Sequence, residues 1–268
     1  MNNLWELREL SFQTLATDFK LEAKIISRSF SLVDKTIARF EEAWEHASDA
    51  DKPFFYFCGC ALAKGHRLCL GDYSLGLDGL SWEAGALRRT LLEVIERLHW
   101  LKNDPSRARK LDGDRSNRPG KVARSIGSPF QDARSHLSET ASHFVFSAEV
   151  VNMLTDSTTG HLLAVPKFDR TQLHKTLSSV FVGLLQLLIV AINCLATGGE
   201  PNHDLADELE HLREVGFRTF KIVAIAGFGI PQDIPKHEQV NYKYPFEIPV
   251  LRFPPLPGGD KTEDEPKV

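Results

Sequence analysis

The stretch Leu177–Ala196, LSSVFVGLLQLLIVAINCLA, decides the fold. Its residues are apolar on every side, so a helix built from them has no face left for water. Such a helix is either the central helix of a bundle or a membrane span, because about 20 apolar residues also cross a bilayer. Polar side chains inside the stretch (Ser178, Gln186, Asn193) and the amphipathic helices around it favour the buried central helix. The membrane span is the alternative.

Amphipathic patterns flank this stretch on both sides. In residues 4–48, apolar side chains recur at spacings of three and four, which places them on one helix face: Ile26, Phe30, Val33, Ile37, Phe40 and Trp44. Similar patterns predict helices over 54–70, 80–102, 130–155, 171–197 and 204–220, with a connector of turn residues from Gly71 to Gly79 and a short strand at 161–165. We therefore expect a mostly α protein, a helical bundle of about five to seven helices.

The chain changes character after residue 230. Eight prolines follow in residues 231–268, and proline is excluded from helix interiors and central strands. We predict a helical bundle domain over 1–230 and, over 231–268, a Pro-rich extended arm with a disordered tail.

Composition narrows the class of protein without naming a function. Lys and Arg number 32 against 36 Asp and Glu, a net charge of −4 that gives no global attraction to nucleic acid or anionic membranes. Four cysteines and the absence of a signal-peptide pattern indicate a protein of the reducing cytoplasm. We expect a protein partner or a homodimer, with nucleic acid as a second candidate partner and no membrane.

The predicted helix 80–102 carries the most informative pattern. Leu87, Leu91, Val94, Leu98 and Leu101 form one apolar stripe. The opposite face carries charged residues together with two tryptophans, which indicates that this face is also partly covered.

Arg89, Glu93 and His143 are the candidate catalytic residues. Arg89 and Glu93 are helical neighbours, and His143 beside Ser142 has the chemistry of a general base. The alternative is structural: an intrahelical ion pair and a packed histidine. Enzymatic activity stays open at this point.

A basic stretch is the candidate nucleic-acid site. Residues 102–124 contain eight Lys or Arg and three Asp, a net charge of +5 that could contact phosphates. The residues are Arg107, Arg109, Lys110, Arg115, Arg118, Lys121 and Arg124. The alternative is a solvated loop, because no aromatic residue lies among them for stacking on bases.

Cys58, Cys60, His66 and Cys69 invite comparison with a zinc site. The one-residue gap between Cys58 and Cys60 is shorter than the usual knuckle, and buried cysteines behave as small apolar residues. We predict no metal site and, since no Gly-rich phosphate loop is present, no cofactor.

Several short motifs resemble a group of uncharacterised bacterial helical proteins. They are Gly71-Asp72-Tyr73, Ala86–Glu93 with an Arg four residues before a Glu, Trp100–Pro105, and Leu137–His143. The resemblance covers about residues 20–155. The group is often compared with HEPN-type helical bundles, many of which serve in bacterial toxin–antitoxin and phage-defence systems.

The chain departs from the catalytic members of that class. HEPN ribonucleases have four to six residues between an Arg and a His of one helix. Here three residues lie between Arg170 and His174, one between Arg134 and His136, and eight between Arg134 and His143, so these candidate pairs do not have that form. The resemblance therefore implies a non-catalytic accessory or interaction protein of a bacterial defence or toxin–antitoxin module. The alternatives are a hydrolytic enzyme of RNA-processing type, which would use Arg89, Glu93 and His143, and a nucleic-acid-binding regulator.

Overall fold

The computed structural model describes residues 4–111, 118–138, 165–197 and 202–222, with isolated positions 154–155, 159, 161, 163 and 199. The helices of this part are α1 (Leu4–Thr17), α2 (Lys20–His46), α3 (Lys52–Leu77), α4 (Ala84–Asn103), α5 (Pro119–Ser125), α6 (Gln131–Leu137), α7 (Arg170–Thr197) and α8 (His203–Phe220), and a 3₁₀ helix (Pro105–Lys110) follows α4. The predicted mostly α bundle is confirmed. Six of the α-helices are 14 residues or longer.

The apolar helix α7 occupies the centre of the bundle. It packs against α2, α3, α4 and α8, and all but a few side chains from Val180 to Leu195 are buried. Among the described helices, α7 alone is long and apolar enough to span a membrane, but 72% of its most apolar window is buried inside the bundle. Contacts with the other helices therefore account for its uniform hydrophobicity, as expected of a core helix.

Glycines let the neighbouring helices approach α7 closely. A Cβ added at Gly65 of α3 would lie 2.7 Å from both Leu187 methyl groups, and one added at Gly216 of α8 would overlap the Phe181 ring. Phe181 in turn stacks on Phe220, with ring centroids 5.1 Å apart. The missing side chains at these positions set the distances between helix axes.

The structure departs from the predicted helix pattern at two places. The first amphipathic stretch is interrupted at Asp18 and Phe19, where both N–H groups donate to the carbonyl of Thr14 and α1 ends. The predicted connector at 71–79 is wrong over its first part, because α3 continues to Leu77 before Gly79 turns the chain with φ +74°. Packing against α4 overrides the local turn preference of Gly71 and Asp72.

Several predicted elements lie outside the described residues. Of the predicted helix 130–155, the structure describes α6 and a few positions besides. The strand at 161–165 falls mostly, and the arm at 231–268 entirely, outside the described part of the chain.

Candidate functional site

The charged face of α4 is the candidate site. Arg89, Glu93, Glu96, Arg97 and Trp100 follow one another at spacings of four, three, one and three residues, so they lie along one side of the helix. The opposite side, with Leu91, Ile95 and Leu98, is buried in the core. The charged face meets α5 and α6. The prediction that this face is partly covered is confirmed, since Trp100 is buried.

Glu96 is the most enclosed charged residue of this face, with 0% of its surface exposed. One carboxylate oxygen, Oε1, accepts a hydrogen bond from the Ser128 hydroxyl. The other, Oε2, accepts from Arg134 Nη1 at 3.2 Å. Ser128 Oγ also accepts the N–H of Phe130 at 3.1 Å, so Glu96 ties α4 to the chain that leads into α6.

The electrostatics of Glu96 reflect this enclosure. Burial raises the pKa of Glu96 above its ordinary value, while the Ser128 hydrogen bond and the Arg134 charge act in the opposite direction. Burial is the largest of these effects. The two partners therefore offset only part of the effect of burial.

A second buried carboxylate joins α3 to α4. Asp72 is 2% exposed and accepts two hydrogen bonds from Arg88, at 2.8 Å from Nε and 2.8 Å from Nη2. Burial raises the pKa of Asp72, and Arg88 opposes that rise. The bidentate geometry is the strongest form of an arginine–carboxylate contact.

Arg89 and Glu93 form the predicted intrahelical pair. Arg89 Nε lies 3.7 Å from Glu93 Oε1, and the two side chains are 38% and 27% exposed. His143 lies outside the described residues. The structure therefore brings together two of the three candidate catalytic residues, and the role of the third stays a prediction.

The C-terminal turn of α4 holds a buried histidine. His99 is 4% exposed, and burial together with the nearby Lys102 charge lowers the pKa of His99 to about 4. A base of this strength binds a proton poorly near pH 7. Beside it, the Arg107 guanidinium lies 4.8 Å from the Trp100 ring centroid and donates to the Trp100 carbonyl at 2.7 Å.

Two arginines of the basic stretch form hydrogen bonds with the rest of the protein. Arg107 also pairs with Asp104 at 3.2 Å, and Arg109 Nε donates to the Ala50 carbonyl at 3.0 Å. Arg115 lies outside the described residues. The remaining four, Lys110, Arg118, Lys121 and Arg124, are exposed.

The cysteine cluster is dispersed. Cys58 and Cys69 are buried, Cys60 is exposed, and His66 Nδ1 lies 3.5 Å from Asp34. Cys194, from α7, donates to the Leu98 carbonyl. Within the described part of the chain, no three His, Cys, Asp or Glu side chains are placed to hold a metal ion.

The sequence did not predict that Asp72 and Glu96 are buried carboxylates that link neighbouring helices. The one indication in the sequence was the presence of Trp82 and Trp100 on the charged side of the predicted helix, which implied that other residues pack on that side. The partners Ser128 and Arg134 lie 32 and 38 residues from Glu96 in the sequence. Local residue spacing cannot predict contacts at that separation.

Comparisons with known proteins add no relative: no family model, no curated protein and no solved structure matches this chain.

Proposed function

We propose that this protein is a non-catalytic helical interaction protein. The observation that supports it is the enclosure of Glu96, the carboxylate with the raised pKa expected of a general acid. A general acid or base must come within hydrogen-bond reach of its substrate. Glu96 is 0% exposed, and each of its oxygens already accepts a hydrogen bond from the protein.

The second buried carboxylate supports the same conclusion. Asp72 is held by Arg88 in a bidentate pair that joins α3 to α4, as Glu96 joins α4 to the chain before α6. Every carboxylate oxygen of Asp72 and Glu96 accepts a hydrogen bond, and buried carboxylates satisfied in this way act as cross-links between elements. We assign these residues to the positioning of helices.

A hydrolytic enzyme is the alternative function. Arg89 and Glu93 are partly exposed, and they would act with His143 in that case. Their separation of 3.7 Å is that of an ordinary pair on a helix surface.

Three further parts of the proposal rest on the resemblance of the short motifs to bacterial helical proteins. They are the HEPN-like relationship, a role in a bacterial defence or toxin–antitoxin module, and a cytoplasmic location. The all-α bundle is the architecture that this relationship requires. Association with a protein partner or a second copy stays a prediction.

Activity measurements on the full chain test the proposal. The wild type and Arg89→Ala/Glu93→Ala would be incubated with single-stranded RNA, a p-nitrophenyl phosphate and a p-nitrophenyl ester. We expect no turnover by the wild type above that of the double variant. The matched control is Arg39→Ala/Glu42→Ala, which removes an exposed pair from α2.

The result that would contradict the proposal is catalytic turnover that depends on Arg89 and Glu93. Turnover that is present in the wild type and the α2 control, and lost in a folded Arg89→Ala/Glu93→Ala variant, would overturn the non-catalytic proposal. It would assign the α4 face to an active site.

A further inference from the structure

The exposed side of α5 carries three cations and no acid. Arg118, Lys121 and Arg124 are exposed, and none of them forms a salt bridge or a side-chain hydrogen bond with a described residue. We call these three residues the basic face. Lys121 and Arg124 are three residues apart within α5, so they lie on one side of the short helix, and Arg118 occupies the N-cap position before it.

The other side of α5 fixes the basic face to the bundle. Val122 and Ala123 are 1% and 3% exposed, and Ile126 beyond them is also buried. α5 packs on α4, and Ser128 just after it is bonded to the buried Glu96. The cations therefore stand on a supported helix.

Charge distribution makes this surface distinct from the rest of the chain. No Asp or Glu occurs between Asp114 and Asp132. Residues 102–124 carry eight basic and three acidic side chains, which leaves 24 basic and 33 acidic elsewhere, a charge of −9. A segment of positive net charge in a chain that is otherwise negative favours a polyanion as its partner.

The surface is suited to phosphates and lacks a place for bases. Arg118 and Arg124 are about 9 Å apart along the helix axis, roughly the axial rise of three nucleotides of one strand. A Cβ added at Gly120 would meet nothing within 4 Å, so a phosphate backbone can approach the helix there. Between Trp100 and Phe130, both buried, the sequence has no aromatic residue that could stack on an unpaired base.

We infer that the basic face binds the phosphate backbone of double-stranded nucleic acid, without sequence preference. This inference rests on the proposed function, because it names the partner of the interaction protein. Single strands are disfavoured, since their binding draws on base stacking that this surface cannot provide.

The number of phosphate contacts determines how steeply the affinity for nucleic acid falls with salt concentration. Three phosphate contacts release about three counterions, so log K against log salt has a slope of about −2.7. Affinity then falls roughly 40-fold between 50 and 200 mM salt. Loss of two cations is expected to lower the affinity roughly 50-fold at 100 mM salt and to reduce the slope by about 2.

The test uses fluorescence anisotropy with the full chain. The probes are a labelled 20-base-pair DNA duplex, an RNA duplex of the same sequence, and the matching single strands. The variant is Lys121→Ala/Arg124→Ala. The control is Lys64→Ala/Arg67→Ala, which removes two exposed cations from α3.

We expect at least one duplex to bind with the stated slope, the α5 variant to lose affinity, and the α3 control to match the wild type. The two duplex arms identify whether DNA or RNA is the source of the phosphates. The inference is overturned by no duplex binding at 50 mM salt, by equal losses in the two variants, or by tighter binding of the single strands.

The same samples separate this inference from the proposed function. Electrophoresis of the probes after incubation detects cleavage. Cut duplex together with binding that depends on α5 contradicts the non-catalytic proposal and leaves the inference standing. Intact probes with no binding contradict the inference alone.

Discussion

Replacement of the Glu96–Arg134 pair by apolar side chains of similar length perturbs the candidate site most directly. The variants are Glu96→Met, Arg134→Met and the double variant. Each single change leaves one member of a buried pair without its counter-charge, whereas the double change leaves none.

The structure sets the magnitude of each effect. Removal of one partner of a buried ion pair costs about 3–5 kcal/mol. The Arg134 side chain is 19% exposed, so water screens part of that penalty, and we expect about 2–3 kcal/mol for Glu96→Met. The double variant should lie within about 1 kcal/mol of the wild type, because apolar packing replaces the pair.

Urea unfolding followed by circular dichroism measures these free energies. The pH dependence of Arg134→Met adds a second check. Without the Arg134 charge the pKa of Glu96 rises further, so the folded state holds its proton more tightly and the variant gains stability as the pH falls from 7 to 5. A Glu96→Met variant as stable as the wild type, or a double variant less stable than both singles, would refute the cross-link interpretation.

Three further predictions concern burial and close packing. His99 alone should cost the wild type roughly 3 kcal/mol of stability between pH 7 and pH 4, because the folded pKa of His99, about 4, lies below its unfolded value and the unfolded state takes up the proton first. His99→Gln should abolish this contribution. Gly216→Ala should destabilise the protein by about 1–3 kcal/mol because its methyl group meets the Phe181 ring, while Gly120→Ala, which meets nothing, should stabilise it by up to about 1 kcal/mol in urea unfolding. Of the four thiols, Cys60 alone should react quickly with Ellman's reagent in the native state.

Each of these has a control and an opposing outcome. His46→Gln, at an exposed histidine, should leave the acid-induced loss unchanged, and an equal effect from His46 and His99 would contradict the burial argument. Equal stability of the two alanine variants would show that α7 and α8 do not approach closely at Gly216. Rapid titration of two or more native thiols would mean that Cys58, Cys69 or Cys194 is accessible.

The spacing of apolar residues was enough to predict the helices with a long apolar run or a regular apolar stripe. The uniformly apolar run that becomes α7 and the apolar stripe of α4 both follow from residue spacing, because burial of apolar area is the main favourable term in folding. The prediction failed at Gly71–Tyr73. There the local preference for a turn is weaker than the contacts that Asp72 makes with Arg88 once α3 and α4 pack together.

The candidate site was predictable only in part. Arg89 and Glu93 are four residues apart, so their ion pair follows from helix geometry alone. The enclosure of Glu96 depends on Ser128 and Arg134, which reach it through tertiary packing. In the same way, the sequence does not distinguish among the seven basic residues. Only the fold shows that Arg107 and Arg109 donate hydrogen bonds to backbone carbonyls of the protein, which the cations of the basic face do not.

We expect the Glu96–Arg134 pair, which joins α4 to α6, to stabilise the fold, and the basic face to bind the partner. The most direct measurement is the duplex affinity of Glu96→Met/Arg134→Met beside that of Lys121→Ala/Arg124→Ala, with probe integrity recorded in the same samples. We expect Glu96→Met/Arg134→Met to be folded, to leave the probes intact and to bind like the wild type. Lys121→Ala/Arg124→Ala should bind roughly 50-fold more weakly at 100 mM salt. If Glu96→Met/Arg134→Met is folded but has lost duplex binding, or has lost a cleavage activity that the wild type shows, the structural role of the Glu96–Arg134 pair is contradicted.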